Sequence, residues 1–182
     1  MNESGHENLS HPGRLIEIVR LAKTYCDICE EASQYSKIDF TNRVLSVLPL
    51  IYWNFFDLEN EEIPLEEYGY LSSYMEEDSY EDLKIRIARV MGGDDVFLDT
   101  FEEDMQYSDT PISSSISECL AEIYQPLYNF VCIVKDSAGT QLQEAFIECK
   151  QEFENYWSQT LCNVLKALNN IKYNNRNNDE EF

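Results

Sequence analysis

Between residues 113 and 173 the chain carries two long amphipathic stripes, and any fold it adopts must bury both. In the first, Ile116, Leu120, Ile123, Leu127, Phe130 and Val134 recur in steps of four and three, which is the spacing of one helix face and not of a strand. In the second, Leu142, Phe146, Cys149, Phe153, Trp157, Leu161, Val164, Leu168 and Ile171 average about 3.6 residues per step, the repeat of a straight helix. Ser115 with Glu118, and Thr140 with Gln143, each fit a capping box. The connection at residues 135–139 is short, so the two helices are expected to lie antiparallel. Run unbroken to Tyr173, the second would be roughly 50 Å long, against roughly 40 Å for a compact sphere of this chain length. Phe153 and Trp157 are the expected core anchors.

The rest of the chain supplies partners for this hairpin. Leu15, Ile18, Val19, Ala22, Cys26 and Cys29 form one helical face, with a start at Ser10 and Pro12. Asp39 can cap a second helix bearing Val44, Leu45, Leu48, Tyr52, Phe55 and Phe56, which Pro49 should kink or split. Ser79 and Asp82 open a third helix with Leu83, Ile87 and Val90 on one face, ended by Gly92 and Gly93. Asp94 can cap a short helix with Phe97, Leu98 and Phe101, and residues 106–114 read as a linker. The expectation is a single all-α helical bundle of five or six helices with a long C-terminal helical hairpin, spanning residues 10–173. A flexible leader (1–9) and a disordered tail (174–182) flank it. There is no internal repeat.

Residues 57–78 break the pattern. They hold eight glutamates and aspartates after Asp57, together with Tyr68, Tyr70 and Tyr74, and lack helical periodicity, so they read as a long acidic loop. The tyrosines offer apolar area with a wettable end and are candidate binding residues.

Charge bounds the partners. Among 182 residues, 35 are acidic and 13 basic, for a formal charge of −22, which repels phosphate backbones and anionic lipid surfaces. Neither direct nucleic-acid binding nor a membrane is expected; a basic protein partner is. The first dozen residues are polar with no apolar signal core, and the most apolar run, residues 44–56, is too short to span a bilayer. A cytoplasmic protein with six free, mostly buried thiols is the expectation.

Histidine removes whole classes of catalysis. His6 and His11 are the only two and both lie at the N-terminal end of the chain, which leaves the expected core without an imidazole for a nucleophile's base or a zinc site. No Glu-x-x-His of a di-iron bundle occurs. Cys26 and Cys29 form a CxxC, but late in a helix, where the dipole does not activate a thiol. There is no phosphate-cradling glycine loop. The remaining candidates are carboxylates at four-residue spacing: Glu118 with Glu122, and Glu144, Glu148 and Glu152, each set on one helix face. A solvated face accounts for them, since like charges so placed cost only a few tenths of a kcal/mol when exposed.

The segment Leu120-Ala121-Glu122-Ile123-Tyr124 resembles the Leu-Ala-Asp-Ile-Tyr segment of an uncharacterised bacterial family, domain of unknown function 5063. Phe153-Glu154-Asn155-Tyr156-Trp157, followed by Val164 to Leu168, is similar to that family's second hallmark, Phe-x-x-His-Trp leading into Ala-Leu-x-x-Leu. Weaker similarities are Tyr25-Cys26 with Glu30, the run at 45–52, and Gly93-Asp94-Asp95 before Phe97. The resemblance implies an all-helical fold and assigns no activity. This chain departs from it at Tyr156 and Thr160, where the family pattern has histidines, and Pro126 should bend the helix beside Glu122.

Three functional readings are compatible with these residues. The first is a non-enzymatic acidic interaction or regulatory module, with Glu118, Glu122, Tyr124, Tyr68, Tyr70 and Tyr74 as candidate binding residues and no cofactor. The second is a magnesium-assisted hydrolase using Glu118, Glu122, Glu148 and Glu152, and the third a structural subunit of a homo-oligomer.

Overall fold

The computed structural model describes residues 11–58, 71–99 and 112–174. The leader, Tyr68, Tyr70, Phe101 and the tail beyond Asn174 lie outside them. In chain order the elements are α1 (His11–Glu30), α2 (Lys37–Asp57), α3 (Glu77–Met91), β1 (Val96–Asp99), β2 (Ile112–Ser115), α4 (Ile116–Asp136), and a long C-terminal helix. The last has two arms, α5 (Leu142–Glu152) and α6 (Ser158–Asn174), joined through a π turn at Phe153–Trp157. The all-α expectation holds, with one small antiparallel strand pair added.

Helix α4 lies at the centre because it is apolar on more than one side. Ile116, Leu120, Ile123, Leu127, Phe130 and Ile133 are all buried, and α1, α3, α5 and α6 pack around it. Helix α2 completes the bundle against α1 and α6. The Tyr25 hydroxyl is fully inside and donates to the Leu120 carbonyl at 2.8 Å, tying α1 to α4. Arg86 from α3 donates to the Glu30 carbonyl at 2.8 Å, which satisfies a free acceptor at the end of α1. At the end of α2, buried Lys150 donates to the Leu58 carbonyl and pairs with Glu154 at 3.6 Å.

Several local expectations are corrected. Residues 96–99 and 112–115 form strands and not a short helix followed by a linker, because the backbone groups of each find their partners on the other across the intervening stretch. Register Val96↔Ser115 sets Asp95 beside the start of α4. There its carboxylate accepts from the Ser117 amide and hydroxyl, both at 2.8 Å, and its carbonyl from the Ile116 amide at 2.7 Å. Asp94 pairs with Lys37 and caps no helix. Ser115 accepts from the Glu118 amide at 3.2 Å, so the forward half of that capping box is present. Thr140 instead donates to the Ser137 carbonyl at 2.8 Å within the reversal, where Gly139 takes a φ of +83°.

Helix α2 starts earlier than Asp39, with Ser36 as the cap accepting from the Asp39 amide at 3.2 Å. Likewise α3 starts at Glu77, ahead of Ser79; Gly92 ends it at a φ of +59°. Pro49 does not split α2: it sits on the exposed face, where the carbonyl it leaves without a donor can be hydrated. Phe56 is not in the core but largely exposed.

The C-terminal arms meet α2 through aromatic rings. Phe55 is 5.1 Å from Trp157 edge-on and 5.4 Å from Phe153, and Phe153 is 4.6 Å from Trp157. Trp157 is 0% exposed, and its indole N–H is buried with no hydrogen-bond partner. Trp157→Ala should therefore cost roughly 3–5 kcal/mol in urea denaturation. Trp157→Phe removes the unpaired N–H as the alanine change does but keeps a ring in the site, and should cost about 1–3 kcal/mol less than the alanine change.

Candidate functional site

A carboxylate cluster and a cavity flank α4, and the paired carboxylates divide between them. The first gathers Glu122 and Glu118 with Tyr80 of α3 and Tyr156 of the π turn. Glu122 is half-buried; it accepts from Tyr156 and from the Thr160 hydroxyl, the latter at 3.4 Å. Burial and the neighbouring Glu118 charge push its carboxyl up, against the opposing pull of those two hydrogen bonds. Burial and the same acids raise the Tyr80 phenol to about 12, and burial with Glu122 raises that of Tyr156.

The second region is a cavity of about 480 Å³ between α4, α5 and the segment before α3. Glu144, Glu148 and Glu152 line the α5 wall; Gln125 and Asn129 come from α4, Ser72 and Ser73 from the segment leading to α3. Pro126, Phe130, Ile133 and Cys149 are also at its lining, and the Cys149 thiol donates to the Pro126 carbonyl at 3.7 Å. Asn129 anchors the approaching chain, its Oδ1 accepting from the Tyr74 and Met75 amides at 2.8 and 3.1 Å. Glu148 and Glu152 reach solvent yet sit in a concave wall, and this desolvation raises both carboxyls, Glu152 further through the charge of Glu148.

The remaining candidates scatter. Tyr124 is 4% exposed and donates to Glu30 Oε1 at 2.8 Å, with its ring stacked on Tyr128 at 5.2 Å, away from Glu122. Tyr74 is half-buried and hydrogen-bonds Asp136, which raises its phenol. Tyr68 and Tyr70 fall outside the described residues. Among the described residues, no three Cys, His, Asp or Glu side chains are grouped to hold a metal ion. Cys26 and Cys29 are buried and unpaired; burial pushes the first well up and the second to about 12, so the CxxC is not an activated dithiol. No described helix is long and apolar enough to cross a membrane.

Residues 10–174 match the model of the family described as Domain of unknown function (DUF5063). The chain belongs to this family. A Bacteroides fragilis protein of the same fold, BF1032, known from a crystal structure, is 26% identical, with a TM-score of 0.75 over 88% of this chain and 92% of that one. No curated protein matches significantly. The DUF5063-like segments at 120–124 and 153–157 meet in space: Glu122 of the first accepts from Tyr156 of the second, and Thr160 joins them. The two departures from the family pattern noted in the sequence thus surround one carboxylate. Tyr80 and the α4 wall of the cavity had no signal in spacing, because they reach these places only through packing.

Glu122, Glu148 and Glu152 all have raised carboxyls in the fold. Protons bind the native state more tightly than the unfolded chain, so their contribution to stability is full below the unfolded carboxyl range and is lost as pH rises through the native values. Melting temperature should rise as pH is lowered from 7 towards 5. The Glu148→Gln, Glu152→Gln double variant should melt higher than wild type at pH 7 and show a flatter profile in thermal scans.

Proposed function

We propose that this chain is a non-catalytic interaction or regulatory module that takes a basic segment of a partner protein on the acidic wall of the cavity beside α4. The observation that carries this reading is the row Glu144, Glu148 and Glu152 along a cavity of about 480 Å³. A lysine or arginine entering it would bring a counter-charge to carboxylates that enter none of the ion pairs among the described residues, and interactions of this kind strengthen as water is excluded. Gln125 and the hydroxyls of Ser72 and Ser73 add polar groups able to orient a peptide backbone.

The rest of the molecule favours such a partner over others. A formal charge of −22 draws cations in and keeps phosphate chains and anionic lipid away. It also opposes close contact between copies of this chain. The cysteines among the described residues form no disulfide and four of them are buried, which suits the reducing cytoplasm.

Oligolysine is a direct probe. Titration calorimetry should detect association at about 50 mM salt and an at least tenfold loss of affinity by about 500 mM, because the Debye length shrinks from roughly 14 to roughly 4 Å over that range. Glu144→Gln, Glu148→Gln and Glu152→Gln together should remove most of the binding. Absence of heat at low salt, or equal binding by the triple variant, would reject the cavity as the site.

A further inference from the structure

Helix α2 is apolar on two faces, and the bundle covers one. Val44, Val47, Leu48, Ile51 and Phe55 point inward. On the other side Leu50, Trp53 and Phe56, each three residues apart, are 50%, 57% and 63% exposed, and Pro49 between them is exposed as well. Their rings are organised: Trp53 lies 6.2 Å from Phe56, and Phe56 stacks on Tyr52 at 6.3 Å, whose ring is in turn edge-on to Phe153 at 5.4 Å. The stripe is therefore braced from beneath by the π turn.

We propose that the Leu50, Trp53 and Phe56 face of α2 is a docking surface for an amphipathic basic helix of a partner protein. The partner's apolar side would lie on the two rings and its lysines or arginines beyond the last of them. Area and charge single out this occupant. At about 150–250 Å² per aromatic side chain, the stripe exposes roughly 350 Å², the size of a functional patch but well short of the ~800 Å² per partner of a stable dimer. Two copies of a chain with a formal charge of −22 would also repel each other.

The C-terminal end of the stripe carries two ion pairs rather than a net charge, so a basic partner is drawn by the formal charge of −22 and by the end of the helix. Asp57 follows Phe56, and Glu154 lies there too, paired with the Lys150 that binds the Leu58 carbonyl. The helix end itself carries partial negative charge. Arg14, paired with Asp57 at 2.7 Å, and Lys150 are the cations at this end. An exposed indole face also favours arginine or lysine over a neutral partner. This inference shares the basic partner with the cavity reading but not the site.

The chain has two tryptophans and Trp157 is buried, so acrylamide quenching of the full-length protein reads Trp53. A 14-residue leucine–lysine amphipathic helix should shift Trp53 emission to the blue and lower its quenching constant at least twofold, while the leucine–glutamate counterpart should do neither. Trp53→Ala with Phe56→Ala should weaken binding of the leucine–lysine helix at least tenfold, read by calorimetry, with the melting temperature held or raised. Asp57→Asn with Glu154→Gln should reduce its salt dependence. Equal binding by wild type and the Trp53, Phe56 variant would overturn the proposal. So would a Trp53 already shielded in the free protein, which would mean that the chain covers its own stripe, or shielding that grows with protein concentration alongside dimer formation in sedimentation. Oligolysine separates the two readings: if it fails to bind while the leucine–lysine helix shields Trp53, the cavity reading falls and this one stands; the reverse overturns this one alone.

Discussion

The bundle depends on the burial of α4. A helix with one apolar stripe can be satisfied by a single neighbour, but α4 buries Ile116, Leu120, Ile123, Leu127, Phe130 and Ile133 together with Cys119, Ala121 and Tyr124, on more than one side. Each large side chain contributes about 1.5–3 kcal/mol only when it is covered, so α1, α3 and both C-terminal arms must close on it. Polar groups then fix the geometry. Tyr25 donates to the α4 carbonyl at Leu120, Asp95 caps its start, and Asn129 holds the amides of Tyr74 and Met75. Both the Glu122 cluster and the cavity take side chains from α4 and from the elements packed on it.

The π turn has a matching role on the opposite wall. A wide turn inserts an extra residue and rotates the next arm of the helix, which lets Phe153 and Trp157 both face the Phe55 ring of α2 while Glu154, Asn155 and Tyr156 remain outside. Tyr156 can thereby reach Glu122, and Glu154 can pair with Lys150 at the end of α2. One local irregularity thus serves the aromatic core, the Glu122 cluster and the ion pair at the end of the α2 stripe.

Much of this was legible in the spacing of apolar residues. The α4 stripe and the C-terminal stripe identified their helices, the short connection at 135–139 identified the reversal, and the histidine count removed imidazole chemistry from the core. The π turn also left a trace: Cys149, Phe153, Trp157 and Leu161 are separated by three successive steps of four, wider than an α-helix sustains. Other features were out of reach for physical reasons. Phe56 follows the same pattern as Phe55, and only the arrangement of neighbours decides which ring is covered. The strand pair required Val96 to meet Ser115 across an intervening stretch, a long-range pairing that local propensity does not specify. Tyr80 and Glu122 likewise belong to different helices, as do Gln125 and Glu148, and no periodicity within one helix predicts a partner on another.

The placement of charge separates the groups that hold the fold from those it presents. Among the described residues, the ion pairs engage Glu17, Asp27, Asp57, Glu81, Asp94 and Glu154, whereas Glu144, Glu148 and Glu152 enter none of them. With 13 basic side chains for 35 acidic ones, most carboxylates must go unpaired, but an unpaired carboxylate costs least on a convex, fully hydrated surface. Glu148 and Glu152 are in a concave wall, where desolvation and mutual repulsion favour the protonated form and so oppose folding at neutral pH. Stability alone does not account for carboxylates in that position, nor for Trp53 and Phe56 turned outward from a helix whose other face is packed. Both are local departures from the arrangement that best stabilises the chain, and both would be relieved by the same kind of molecule, one that brings positive charge to the wall and apolar area to the stripe.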